Sequence, residues 1–287
     1  SCKFAPQKND FTRAKLACFR FLVFWNSFKS MSKLPSEYQF LDLSDYGRPF
    51  GKAIAKQLQH SRFHAVHVTF LFVFTAVVSL GFLWQGYPIV AAVLLVLKSI
   101  IDAADGELAR LQNRPSYIGR YLDSVSDILI NLCLILSIGH LTNTPIWIAL
   151  LAFASLQLQG TLYNYYYVIL RNEHQGDTTS RIFERKVPKA LGSENQQWVN
   201  RLYYTYKFCY GVFDNIIYTL DFKAAAHRNF PKWFMTALST FGLGFQLLVI
   251  AFLIALNQMS LVIPIILYAN VALIGFIVLR KSLSNRD

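Results

Sequence analysis

Four aspartates stand at regular spacing on either side of a short polar link between two long apolar segments. Asp102 and Asp105 precede the link, and Asp123 and Asp127 follow it. At separations of three and four residues, each pair lies on one face of a helix. Ionised carboxylates are costly beside apolar segments, and four together predict a site that binds cations.

The residue types around these aspartates specify the chemistry further. Carboxylates are hard oxygen donors that suit Mg²⁺ or Mn²⁺, whereas zinc sites usually include His or Cys. Two ions about 3.5–4 Å apart would neutralise a diphosphate and stabilise its leaving oxygen. Gly106 and Ala109 leave room for a nucleotide to approach the backbone, and Arg110 can contact a phosphate. Asp127, at the far end of its helical row, is the candidate to accept a proton from an attacking hydroxyl.

Intramembrane aspartates can also serve structural or transport roles. A single intramembrane Asp often forms a structural ion pair, here with Lys98, Arg110 or Arg120, and two can form an ion path. A carboxylate-lined divalent cation transporter, or a scaffold without catalysis, would leave the small residues at fixed offsets unexplained. The four-aspartate pattern favours a metal site.

The composition predicts an all-α membrane protein. Of 287 residues, 54% are hydrophobic and only 15% are charged, which is low for a soluble domain. A spanning helix needs about 20 apolar residues. Six segments are long enough: His64–Trp84, Tyr87–Leu111, Ile118–Leu141, Pro145–Leu170, Trp233–Leu256 and Leu261–Leu279.

The basic residues predict the orientation of these spans. Three short links between them contain no Lys or Arg, while residues 1–63, 110–120, 171–232 and 280–286 hold nearly all the positive charge. This asymmetry places both termini and the aspartates on the cytoplasmic side. The net charge of +12 is thereby explained by topology, and nucleic-acid binding is not expected.

The chain divides into an interfacial N-terminal segment, residues 1–63, and a six-helix membrane domain, residues 64–287. Within the first, 16–25 predicts an interfacial helix, with a signal-like segment as the alternative. Residues 45–62 predict a second surface helix whose basic residues suit anionic headgroups, with a plain solvated face as the alternative. The polar, aromatic-rich insertion 171–231 predicts helices on or dipping into the cytoplasmic interface, with a shallow re-entrant pair as the alternative. The cysteines lack metal-ligand spacing, and Cys133 predicts a free buried thiol.

The complete pattern is Asp102, Asp105-Gly106, Ala109-Arg110, Gly119, Asp123 and Asp127. It resembles the signature of the CDP-alcohol phosphotransferases (CDP-alcohol phosphatidyltransferases) at every defined position. The resemblance implies a homodimeric membrane enzyme of phospholipid biosynthesis that displaces CMP from a CDP-linked alcohol by an acceptor hydroxyl.

The resemblance also implies roles for individual residues. Metal binding falls on Asp102, Asp105, Asp123 and Asp127, with two ions of Mg²⁺ or Mn²⁺, and the base is Asp127. Nucleotide binding falls on Asp105, Gly106, Ala109, Arg110 and Gly119. The Pro-Asn pair common in the family at the start of the first span is replaced here by Val66-His67, so His67 reads as a helix-end polar group.

The sequence motif does not specify which CDP-linked donor and which acceptor are used. The family uses either CDP-diacylglycerol or CDP-choline and CDP-ethanolamine, and the first is slightly favoured here. A phosphorylated acceptor would need further basic groups, for which the candidates are Arg120, Arg171, Arg181 and Arg185. The positive-inside rule explains the same four arginines equally well.

Overall fold

A computed structural model describes residues 34, 36–173, 186–192, 194–226 and 230–284 of the chain. The described residues form helices, turns and loops and contain no strand, which confirms the all-α prediction. The predicted helix at 16–25, Arg181 and Arg185 lie outside the described residues.

Nine α-helices occur in the described part of the chain. They are α1 Arg48–Leu58, α2 Ala65–Trp84, α3 Pro88–Leu111, α4 Tyr117–Leu141, α5 Ile146–Glu173, α6 Gln196–Leu220, α7 Lys232–Leu238, α8 Leu243–Ala255 and α9 Val262–Ser284. Short 3-10 helices at Leu43–Asp45 and Ser239–Phe241 matter for the site.

The tight links between the apolar helices are confirmed. Gly86, between α2 and α3, has a φ of 80°, a conformation that favours glycine. Asn143 and Asn257 take φ values of 53° and 57° in the corresponding turns after α4 and α8. Asparagine tolerates this left-handed region better than most residues, so each turn has a local sequence cause.

Four of the described helices, α2, α4, α5 and α9 with the turn before it, are long and apolar enough to cross a membrane. A fifth candidate is the pair Lys232–Phe241 and Leu243–Ala255, which bends by 51° at Gly242. Helix α3 is 24 residues long but carries both first-pair aspartates and is not among these candidates. The structure therefore supports a multi-pass membrane protein with four or five clearly apolar spans.

Helix α3 packs against α1, α2 and α8. Its contact with α1 is unusually close at Gly51, where an added Cβ would lie 2.9 Å from backbone atoms of Ala103 and Ala104. Glycine is therefore needed at this position for the two helices to touch. Ala55 of α1 is also buried in this contact, in a cluster with Phe72 of α2 and Leu108 of α3.

Two expectations need correction. The helix predicted in 45–62 is present as α1, after a 3-10 turn, and Lys56 on it is exposed. Arg48 at its start is buried rather than turned toward lipid headgroups. Arg48 is drawn inward because it pairs with Asp45 at 2.5 Å and lies 3.6 Å from Glu107. Cys133 is a free thiol but is exposed, since it lies on the outer face of α4.

Candidate metal and substrate site

Helices α3 and α4 bring three of the four aspartates together. One carboxylate oxygen from each of Asp102, Asp123 and Asp127 lies within 4.8 Å of the other two. The fourth, Asp105, is buried beside them and accepts a hydrogen bond of 2.9 Å from Thr69 of α2. The helical spacing seen in the sequence thus produces one carboxylate cluster, with Asp105 held at its edge.

A buried lysine lies on the inner side of the cluster. The Lys98 ammonium donates to Asp102 at 3.1 Å, one turn away on α3, and to Asp127 across on α4. Its side chain has no exposed area, and its Nζ lies 4.8 Å from the centre of the Phe72 ring. The sequence offers Lys98 as an ion-pair partner for a single aspartate, whereas in the structure it pairs with two, Asp102 and Asp127.

Asp123 differs from its neighbours in having a buried oxygen, Oδ1, without a hydrogen-bond partner. A buried carboxylate oxygen without a partner is costly, and coordination of a cation removes that cost. The converging carboxylates and this unpartnered oxygen fit a hard divalent ion such as Mg²⁺ or Mn²⁺. Asp102, Asp123 and Asp127 are the residues placed to hold it, with Asp105 adjacent.

A cavity of about 260 Å³ opens on one side of the carboxylates. Asp102, Asp105 and Asp123 line it, whereas Asp127 lies behind them against Lys98. Gly106, Ser99 and Ala103 of α3 and Leu243, Gly244 and Leu247 of α8 line it too, with residues 44–48 and Arg110. The cavity therefore joins acidic groups that can hold ions to basic groups that can hold phosphate.

Arg48 and Arg110 are the two arginines that line this cavity. Arg110 is partly exposed and donates to Glu107 at 2.9 Å. Burial lowers the pKa of the Arg48 guanidinium, but Asp45, Glu107 and other neighbours raise it more, so the net shift is upward. Arg48 therefore stays charged, and two fixed positive groups face the same space.

The segment 42–48 was not predicted to contribute to the site. Its position is fixed because Asp42 accepts a 2.5 Å hydrogen bond from the Tyr163 hydroxyl of α5 and caps its own 3-10 turn. The Leu43 amide also donates to Ser239 at 2.9 Å. The i, i+3 spacing of Asp45 and Arg48 was the available signal, but these long-range contacts leave no local pattern in the sequence.

The small residues of the motif have different surroundings. An added Cβ on Gly106 would meet only the Arg110 guanidinium, at 3.7 Å, so open space lies before it, as predicted. On Gly119 it would lie 3.2 Å from Ser116 Oγ, which caps α4 by accepting from the Gly119 amide. Gly119 therefore has a packing reason of its own. Ala109 is half-buried and does not line the cavity.

The insertion between α5 and α7 contacts the helix that carries Asp123 and Asp127. Glu194 accepts from Ser116 at 2.6 Å and from the Ile118 amide at 2.9 Å, and so ties the insertion to the start of α4. Tyr210 of α6 donates to the Ser124 carbonyl at 2.9 Å. Burial, with a contribution from nearby Asp127, raises the pKa of Tyr210 well above its usual value. The phenol therefore remains a donor.

Of the four arginines proposed for an acceptor, Arg120 and Arg171 lie in the described part of the chain, and neither lines the cavity. Arg120 lies over the rings of Tyr117 and Tyr121, and buried Arg171 lies 5.6 Å from the centre of the Tyr167 ring. His67 accepts from the His64 amide at 3.1 Å in a capping box, which confirms its reading as a helix-end polar group.

Comparison with known proteins agrees with the motif. Residues 54–188 match the family model described as CDP-alcohol phosphatidyltransferase. Over 65 residues the chain is also 45% identical to the bifunctional IPC transferase and DIPP synthase of Thermococcus kodakarensis. That match covers 22% of this chain and 15% of the relative's length, so it bears on the shared segment alone.

Proposed function

We propose that this chain, whose residues 54–188 match the CDP-alcohol phosphatidyltransferase family model, makes phospholipids by displacing CMP from a CDP-linked alcohol. The observation that carries the proposal is the joint lining of one cavity by Asp102, Asp105 and Asp123 with Arg48 and Arg110. Cations held by the carboxylates and the two guanidinium groups would together bind a diphosphate.

In the proposed reaction the acceptor hydroxyl oxygen bonds to the phosphorus that carries the alcohol. The bond from this phosphorus to the bridging oxygen breaks, and CMP leaves with that oxygen. The acceptor proton passes to Asp127, one oxygen of which is bonded to Lys98. Because Asp127 does not line the cavity, the acceptor hydroxyl would approach it from outside the space that holds the diphosphate. Bound Mg²⁺ or Mn²⁺, two ions by family resemblance, would supply charge stabilisation for the leaving phosphate.

The protein's own residues would perform the other steps. Arg48 and Arg110 orient the diphosphate, and the open space at Gly106 admits the nucleotide close to α3. Thr69 holds Asp105 at the cavity wall through its hydrogen bond. We keep CDP-diacylglycerol as the favoured donor, with CDP-choline and CDP-ethanolamine as the alternatives.

The membrane setting belongs to the same proposal. We propose six spans, with α3 as the second and the bent pair α7–α8 as the fifth, in a homodimer. The aspartates and both termini would face the cytoplasm, as the distribution of Lys and Arg predicts. At that interface a water-soluble nucleotide and a lipid tail can reach the same site.

The test is CMP release by the purified protein in lipid nanodiscs. Each of the three donors is offered with a panel of acceptors, including serine, glycerol phosphate, inositol phosphate and diacylglycerol, with Mg²⁺ or Mn²⁺. We expect ion-dependent CMP release that Asp102→Asn abolishes and Asp214→Asn, outside the carboxylate cluster and the cavity lining, leaves intact. Divalent ion flux into liposomes without nucleotide, and no CMP from any pair, would favour a transporter instead.

A further inference from the structure

Lys98 has no counterpart in the functional pattern read from the sequence, yet it makes two of the closest contacts in the cluster. It is fully buried, and its ammonium binds one oxygen of Asp102 and one of Asp127. Asp105 and Asp123 interact with one another but receive no hydrogen bond from this ammonium among the described contacts. The lysine thus offsets one of the two negative charges of Asp102 and Asp127, whereas Asp105 and Asp123 have no bonded ammonium among the described contacts.

The position of Lys98 excludes a role in contacting substrate from the cavity. Neither Lys98 nor Asp127 lines the cavity, whereas the other three aspartates do. The Phe72 ring covers the ammonium from α2, with its centre 4.8 Å away. A cation held between two carboxylates and an aromatic face is well stabilised even without solvent.

We propose that Lys98 is a built-in counter-charge and positioning residue, which keeps the carboxylate cluster folded before an ion binds and directs Asp102 and Asp127 toward it. Its bonds occupy one oxygen of each carboxylate and leave the second oxygen without a bond to Lys98. This inference rests on the proposed function only in taking the cluster as an ion site.

The energetic consequence follows from the charges. Four carboxylates within one cluster repel each other, and Lys98 is the one ammonium bonded to them in the described structure. If the ammonium is removed, the partly buried charges of Asp102 and Asp127 lose their bonded partner, which destabilises the protein. A divalent ion would then be needed for folding, and it would bind more tightly because one competing positive charge is gone.

The experiment compares thermal unfolding with EDTA and with Mn²⁺, and measures Mn²⁺ affinity by titration calorimetry. Wild type, Lys98→Met, Lys98→Met/Asp127→Asn and the control Lys281→Met, at an exposed position, are used. We expect the Mn²⁺-induced rise in melting temperature to be at least twice as large in Lys98→Met as in wild type and the control. Its Mn²⁺ affinity should be at least tenfold higher.

The double variant separates charge from packing. Removing the Asp127 charge with the Lys98 charge should restore a melting temperature in EDTA close to that of wild type. The Mn²⁺-induced rise should then fall below that of Lys98→Met, because Asp127 is also one of the residues placed to hold the ion. Equal rises in wild type and Lys98→Met would overturn the proposal. Failure of both the single and double variants to fold with Mn²⁺ would also overturn it, because the lysine would then act through packing.

These measurements need no CDP-linked substrate. A protein that releases no CMP but shows the predicted Mn²⁺ pattern would lose the transferase proposal and keep this one. If wild type releases CMP but the Mn²⁺-induced rise in melting temperature is equal in wild type and Lys98→Met, the transferase proposal stands and the proposal for Lys98 fails.

Discussion

Replacing Asp123 with Asn is expected to stabilise the ion-free protein while removing ion binding. Asp123 Oδ1 is buried and accepts no hydrogen bond, and the nearby ammonium of Lys98 is bonded to two other carboxylates. A neutral amide relieves the repulsion among the carboxylates and can donate a hydrogen bond toward Asp105. The same change removes a charged ligand that a divalent ion needs.

The magnitude follows from the cost of burying each group. A buried charge without a hydrogen-bond partner costs several kcal/mol, whereas an unsatisfied neutral polar group costs about 1–3 kcal/mol. We therefore expect Asp123→Asn to raise the free energy of unfolding in EDTA by about 2 kcal/mol. For a chain of this length that corresponds to a melting temperature about 5 °C higher.

The assay is thermal unfolding in detergent with EDTA and with Mg²⁺, with Asp221→Asn as the matched control. Asp221 is more deeply buried and is paired, because it binds Arg280 and accepts from the Tyr166 hydroxyl at 2.6 Å. The same chemical change there should lower stability by about 3–5 kcal/mol, since it leaves Arg280 without its charge partner. An unchanged or lower melting temperature for Asp123→Asn in EDTA would refute the reasoning about its unpartnered oxygen.

Three further substitutions test how the site is held. Gly51→Ala should lower the free energy of unfolding by about 1–3 kcal/mol, measured by thermal unfolding, because the added Cβ would lie 2.9 Å from the α3 backbone. An unchanged free energy of unfolding would mean that α1 can move away from α3 at little cost. Thr69→Val removes the hydrogen bond to Asp105 and should weaken Mn²⁺ binding about three- to tenfold, measured by calorimetry. An unchanged Mn²⁺ affinity would mean that Asp105 does not contribute to the ion site. Glu194→Gln should weaken the contact between the insertion and α4 and increase amide hydrogen exchange at residues 116–119. Unchanged exchange at these residues would contradict the role of Glu194 in holding the insertion against α4.

Much of this fold could be predicted because its signals are local. Apolar length predicts the helices, and Gly86 and Asn143 mark tight turns whose backbone conformation follows from the residue type. The aspartates come together because the three- and four-residue separations determine which side chains share a helix face. The cation-binding chemistry of the aspartates therefore follows from their residue type and spacing alone.

Contacts between distant segments could not be predicted in the same way. Arg48 appeared to be one of several basic surface residues, and its burial depends on Glu107 of another helix. The position of residues 42–45 depends on hydrogen bonds to Tyr163 and Ser239, far along the chain. Nothing in the spacing of these residues indicates that they meet.

The central claim is that the carboxylate cluster supports ion-dependent displacement of CMP, and Asp105→Asn tests it most directly. Asp105 lines the cavity and receives the Thr69 hydrogen bond, but it does not bind Lys98, so its replacement leaves the buried lysine pair intact. Single-turnover CMP release from the active donor should fall at least 100-fold in a protein whose melting temperature in EDTA is no lower than that of wild type. Wild-type CMP release by this variant, or full release by wild type in EDTA, would contradict the account.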